Sequence, residues 1–266
     1  MSEKVSARRK PNTMTNLDLN NIASRLEGLE ETIIFKLIDR GQWCENTIAY
    51  TNGKSGFVSE KTRSLFELRL YYHEEMDAKF GRFCVPEERP FSSGLPSPKR
   101  DVNLPDSGLY IDDYNIVNLS HDILDSYKNL LTRICPQGDD GQYGSSVEHD
   151  VYAVQAIARR IHYGAFYVAE SKFQSDPKGY SKLIADNDVD GMMEKLTRKD
   201  VEERILERVK NKVESAQSKT SQLVRNVIDP QIFMDYYRDF LIPLTKQGEI
   251  LYLLNRNKKK RLTKNV

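Results

Sequence analysis

Cysteine is scarce. Cys44, Cys84 and Cys135 are far apart, odd in number and never in a Cys-x-x-Cys pair. That pattern excludes a disulfide framework or a cysteine zinc site and fits free thiols in a reducing compartment, with the cytoplasm as the default. No apolar run approaches the ~20 residues of a membrane span, and the N-terminus lacks the apolar core of a signal peptide. Neither sign of charge is in excess, with 40 Lys and Arg against 39 Asp and Glu in 266 residues, so no field for holding nucleic acid or a membrane surface is expected. Period-two alternation and internal repeats are absent, which argues against sheets and solenoids. The 4 histidines are scattered, and His73-Glu74-Glu75 has no second histidine one turn on, so a zinc peptidase motif is excluded. The glycine-rich loop 138–146 has no preceding strand, no Gly-Lys-Ser/Thr and no calcium-loop acid spacing. None of these stretches carries the pattern of a nucleotide or metal site.

What remains is helical periodicity. Ile22, Leu26, Leu29, Ile33, Ile34, Leu37 and Ile38 form one apolar stripe that Gly41 ends. A second helix is expected over 59–83, with Leu65, Phe66, Leu68, Leu70, Tyr72, Met76 and Phe80 as its apolar set. Five prolines make 86–107 a loop, and a third helix over 111–135 stops at Pro136. A central helix over 147–173 follows, then short helices at 179–185 and 188–196. Thr197 is the expected N-cap of a long helix facing inward through Val201, Ile205, Leu206, Val209 and Val213. After a looser connector, 215–228, Asp229-Pro230 opens a last helix toward Leu254, which Pro243 should kink or interrupt. The sum is an all-α, single-domain multi-helix bundle over 16–256, between a basic tail at 1–15 and another at 257–266.

The central helix carries the unusual chemistry. Val151, Val154, Ile157, Ala158 and Ile161 define an apolar face, yet Arg159, Arg160 and Lys172 sit in the same run. A cation buried in such a helix needs a partner. Either acidic side chains from elsewhere in the fold supply it, or the helix lines a pocket for a small dianion. Composition alone favours the first reading.

Four strings change the balance: Glu30-Glu31-Thr32-Ile33-Ile34-Phe35, Gly138-Asp139-Asp140-Gly141-Gln142-Tyr143-Gly144-Ser145, Arg159-Arg160-Ile161-His162-Tyr163-Gly164 and Ile242-Pro243-Leu244-Thr245-Lys246. In this order they resemble the all-helical chorismate mutases of fungi and plants, from about Leu17 to Leu254. The resemblance implies a homodimeric, cytoplasmic isomerase that turns chorismate into prephenate on the route to phenylalanine and tyrosine. That rearrangement is pericyclic and uses no cofactor. It asks for cations and hydrogen-bond donors that hold a folded dicarboxylate and stabilise charge on the breaking ether oxygen. The resemblance matches Arg160 with a carboxylate-binding arginine and Lys172 with a lysine facing the ether oxygen and a carboxylate. It matches Glu202 with the acceptor of the substrate hydroxyl, and Thr245 and Lys246 with substrate contacts. It puts Glu249 at the ether oxygen, where plant members have glutamine.

The sequence departs from the family twice. Ala23 stands where the family has a first-helix arginine, and the nearest candidate, Arg25, is two residues on, about 200° around a straight helix. The stretch from Arg160 to Lys172 is one residue longer than in the family, which would turn the two about 120° apart instead of about 20°. A π-bulge near 165–167 would restore their facing; without one, Ser171 would take the place of Lys172. A second reading is therefore a catalytically weak or inactive homologue that binds ligands. The resemblance also implies effector binding at the dimer interface by Arg82, Gly144 and Ser145, with tryptophan activating and tyrosine inhibiting, and with Glu148 beside the effector. A nucleic-acid binder using the basic tails is the weakest reading, since such runs are usually solvated.

Overall fold

The computed structural model describes residues 17–218 and 225–257, and every regular element among them is helical. The expected basic tails and part of the 215–228 connector lie outside the described residues.

Helix α1 (Leu19–Arg40) opens where the Asp18 carboxylate accepts from the Asn20 N–H, satisfying a free donor of the first turn. Its stripe is buried through Ile22, Ile33, Ile34, Leu37 and Ile38. It stops at Gly41, where a Cβ would lie 2.6 Å from Ile228 Cδ1 and 2.9 Å from the Ile134 carbonyl oxygen, an approach that only glycine permits.

Helix α2 (Leu65–Lys79) is shorter than the 59–83 expected from periodicity. Ser64 and Glu67 cap each other reciprocally and so set the start. Gly81, at φ +82°, turns the chain beyond the other end. Phe66, Leu68 and Leu70 are buried, whereas Tyr72, Met76 and Phe80 of the expected apolar set face outward, 50%, 49% and 68% exposed. The buried Glu74 carboxylate accepts from the Phe91 and Ser92 N–H groups, both at 2.8 Å, and ties down the proline-rich loop.

Helix α3 (Ser120–Ile134) begins later than the expected 111, because a 3₁₀ turn (Tyr114–Val117) precedes it. The Leu119 N–H donates to His162 Nε2 at 3.0 Å. His162 must be neutral to accept that bond, and burial pushes its pKa down to about 3.

Helix α4 (Tyr143–Tyr163) packs against α1, α2 and α3 and starts earlier than the expected 147, directly from the glycine-rich loop. It continues through a π-helical turn (Gly164–Val168) into α5 (Ala169–Ser175). The short helices α6 (Pro177–Ala185) and α7 (Val189–Leu196) are capped by Asp176 and Asp188. Helix α8 (Lys199–Gln217) has Arg198 at its N-cap. Thr197, expected in that role, instead closes α7, its hydroxyl donating to the Met193 carbonyl at 2.8 Å. The last rod comprises α9 (Pro230–Tyr236), a second π-helical turn (Tyr237–Leu241) and α10 (Ile242–Leu254). Pro243 thus interrupts the regular ladder as a wide turn. It has no N–H to give and its ring crowds the carbonyl four residues back, and the helix loosens ahead of it without breaking.

No described helix is long and apolar enough to cross a membrane. Contact between the first π turn and α10 is close: a Cβ at Gly248 would lie 2.6 Å from Ala165 Cβ and 3.1 Å from Leu119 Cδ1. Gly248→Ala is therefore expected to cost about 1–3 kcal/mol by overpacking, read as a lower urea midpoint. A midpoint equal to that of the parent would show that the two rods separate freely.

Candidate active site

The first π turn decides which way the charged residues face. A π turn holds one more residue than an α turn, and this one, at Gly164–Val168, lies between Arg160 and Lys172. Both side chains line one cavity of about 250 Å³, bounded by α1, the α7–α8 junction and α10. Ser171 lies elsewhere, its hydroxyl donating to the Leu17 carbonyl at 2.8 Å.

Three cations that look alike in sequence end in three situations. Arg159 is half exposed and pairs with Glu88 at 3.2 Å. Lys172 donates to Glu249 Oε2 and to the Leu196 carbonyl, each at 3.0 Å. Arg160 is 3% exposed and gives one nitrogen to the Thr245 hydroxyl at 3.0 Å, while its Nε has no partner. Among the described residues no carboxylate is within ion-pair distance of Arg160. The nearest acids are engaged elsewhere, Glu249 with Lys172 and Glu30 with Arg208. Burial accordingly presses the Arg160 pKa below the usual guanidinium value. A buried cation without a counter-charge is costly, and an anionic ligand in the cavity would relieve that cost.

Lys246 and Glu202 also line the cavity and pair with each other at 3.1 Å. Glu249 is 3% exposed, and burial raises its pKa, opposed by Lys172 and then by Arg160 and Lys246. Arg160, Lys172, Arg198 and Lys246 face only Glu202 and Glu249 across the lining. The walls therefore carry two more positive than negative groups when all are ionised, which suits a dianion. Apart from Thr245, apolar side chains from α1 and α8, with Val168, Leu196 and Ile242, make up the remainder and keep the local dielectric low.

Of the expected site residues, the fold brings together Arg160, Lys172, Glu202, Thr245, Lys246 and Glu249. Arg25 is not brought in. Its guanidinium lies 3.7 Å from Glu87 and 5.1 Å from the Tyr163 ring centroid, and Ala23 occupies the cavity wall from α1. Arg198 lines the cavity and was absent from the expected set. The signal for it was its position four residues before Glu202, one turn away on the same side.

The expected effector residues fall at two places on this chain. Gly144 and Ser145 are exposed in the first turn of α4, where N–H groups lack helical partners. Arg82 lies beside Gln155, about 15 Å farther along the α4 axis, and is held by Asp77 at 2.6 Å and Glu88 at 3.0 Å. Glu148 is paired with Arg69 at 2.7 Å.

No protein-family model matches the chain. The chorismate mutase of Schizosaccharomyces pombe is 36% identical over 249 residues, covering 90% of this chain and 96% of that protein. The crystal structure of the Candida albicans Aro7p chorismate mutase with L-Trp superposes with a TM-score of 0.83 at 34% identity, over 91% of this chain and 94% of that one. AtCM1 with tyrosine bound in its allosteric site gives 0.81 at 32%, over 93% and 98%. Likeness at this level runs through the whole helical framework that builds the cavity, and the chain belongs to the family of fungal and plant chorismate mutases.

Proposed function

We propose that the chain catalyses the rearrangement of chorismate to prephenate in the cavity around Arg160. The observation that carries the site is the Arg160 charge, buried and without a carboxylate partner, in a wall with an excess of cations. The reaction breaks an ether bond and forms a carbon–carbon bond in one concerted step. The protein's work is to select the folded conformer and stabilise charge on the departing oxygen. Arg160 and Thr245 bind one carboxylate. Lys172 reaches the ether oxygen and a carboxylate, Glu202 accepts from the ring hydroxyl, and Lys246 holds Glu202 in place. The apolar α1 wall excludes water. Loss of the chorismate absorbance on adding the purified chain tests the proposal; binding without turnover would leave a non-catalytic ligand-binding protein.

Glu249 accepts from Lys172 and, in its protonated form, can donate to the ether oxygen. Its raised pKa sets the direction of the pH dependence. The donor form is present below that pKa and is lost as pH rises through it, and the negative charges of a bound dicarboxylate push the pKa higher still. Turnover is expected to decline several-fold from mildly acidic to mildly alkaline pH. Glu249→Gln keeps a donor without the titration and should flatten the profile. A parent profile as flat as the variant's would rule out the protonated role.

The exposed Tyr72 and Met76 of α2 and Phe80 at its C-cap form an apolar stripe, with the Phe57 ring 6.5 Å from that of Tyr72. Such a stripe supports a homodimer formed through this face. Across that interface Arg82 of one copy and the Gly144–Ser145 turn of the other would bind the ammonium and carboxylate of an aromatic amino acid, tryptophan activating and tyrosine inhibiting. Calorimetry with each amino acid, beside light scattering for the dimer, tests both points. The three cysteines are unpaired, consistent with a cytoplasmic setting.

A further inference from the structure

A folded dicarboxylate presents negative charge at two places, and the cavity has to meet both. Arg160 meets one from α4. Helix α1 contributes to the lining only Leu19, Ile22, Ala23 and Leu26, all without charge, and Arg25 is engaged with Glu87 and Tyr163. Lys172 and Lys246 are both paired to carboxylates of the lining. Among the described residues of the lining, the cation left with room to move is Arg198.

Its local setting does not explain its presence. Arg198 is the N-cap of α8, and its backbone carbonyl accepts from the Val201 N–H at 2.9 Å and the Glu202 N–H at 3.0 Å, so its Cα is fixed. Its side chain makes no capping hydrogen bond. N-caps favour short polar side chains, and a cation there opposes the positive end of the helix dipole. The charged contact is Nε to Asp200 Oδ1 at 3.5 Å, with the two side chains 65% and 59% exposed. An ion pair of that kind contributes little and is easily exchanged for another. What the position does give is reach: Arg198 and Glu202 line the same cavity one turn apart, on a helix that packs against the uncharged α1 wall.

We propose that Arg198 is a substrate-binding residue, which leaves Asp200 to pair with the dicarboxylate's second carboxylate and does the work of the first-helix cation that Ala23 omits. This assignment rests on the chorismate mutase reading of the cavity. It makes the mouth of the site close from the α8 side by a flexible arginine, and substrate capture becomes sensitive to ionic strength.

The test is steady-state turnover of chorismate by the full chain and by Arg198→Ala, Arg198→Lys, Arg160→Ala and the double variant Ala23→Arg/Arg198→Ala. A charge-assisted pair of this type corresponds to about tenfold to hundredfold in kcat/KM. Arg198→Ala is expected to lose that much, mainly through a higher KM, while its melting temperature stays at the parent value because the side chain is largely exposed. Arg198→Lys should keep part of the activity, and Ala23→Arg should recover part of it in the Arg198→Ala background. Arg198→Ala within about twofold of the parent, while Arg160→Ala is inactive, overturns the Arg198 assignment alone. Full activity in Arg160→Ala instead overturns the reading of the cavity itself. A double variant no faster than Arg198→Ala overturns the claim that Arg198 replaces a cation on α1.

Discussion

Arg160→Ala should lower kcat/KM for chorismate by about a hundredfold to a thousandfold and leave the ligand-free protein no less stable. The two halves of this expectation come from one fact. Arg160 holds its charge in the interior with a single hydroxyl partner, an unpartnered Nε and no carboxylate in contact. Without a ligand that charge is a cost, because burial disfavours the guanidinium by more than the charges of Glu30 and Glu249, which do not touch it, restore. With a dicarboxylate in the cavity the same charge becomes an oriented donor in a dry site, and removing one such donor typically costs about 3–4 kcal/mol of transition-state stabilisation. Loss of packing by the arginine stem offsets some of the gain, so the expected melting temperature is equal to or above that of the parent. Chorismate turnover and a thermal melt on the same sample test both halves. If activity and stability fall together, Arg160 is a structural ion whose partner forms within the fold.

The second large effect is on stability. Arg40 of α1 and Asp150 of α4 are both fully buried and bonded through Nε to Oδ1. The rest of the guanidinium is also used: it donates to the Trp43, Cys44 and Glu45 carbonyls and to the Tyr50 hydroxyl. Asp150 in turn accepts from the hydroxyls of Tyr50 and, at 2.7 Å, Tyr127. One carboxylate thereby joins α1, α3, α4 and the loop after α1. Asp150→Ala should cost about 3–5 kcal/mol, since it strands a buried cation and removes the acceptor of two buried hydroxyls. The value is read from urea unfolding monitored by circular dichroism. Turnover at temperatures where the variant remains folded should stay close to the parent, because neither residue lines the cavity. A loss under about 1 kcal/mol would mean that water enters and solvates Arg40.

Arg40 and Arg160 show how far a sequence can be read. Both are arginines near the ends of amphipathic helices, and both are buried. The first is neutralised by a residue 110 positions away, and the second keeps its charge for the cavity. No local pattern separates them. Arg159, Arg160 and Lys172 make the same point along one rod, where Arg159 and Lys172 find acidic partners and Arg160 does not among the described residues. The helix-end errors have a related cause. Nothing in the side chains of 59–64 forbids a helix, and apolar residues continue through 111–119, but the Ser64–Glu67 cap and the Leu119–His162 bond take up backbone groups that a longer helix would have needed.

Some features were legible because they are local. The stripe of α1, its stop at glycine, the Asp229-Pro230 start and the all-helical class follow from side-chain period and backbone sterics, which act within a few residues. Even the π turn could be anticipated, since one surplus residue between two side chains that must face the same way leaves few alternatives. Tertiary structure alone decided which charges are matched, that Ala23 rather than Arg25 lines the cavity, and that Arg198 joins it from another helix. The physical reason is that the free energy of a charge depends on the water it loses and the opposite charge it gains. Both are set by segments that lie far apart along the chain until the helices pack.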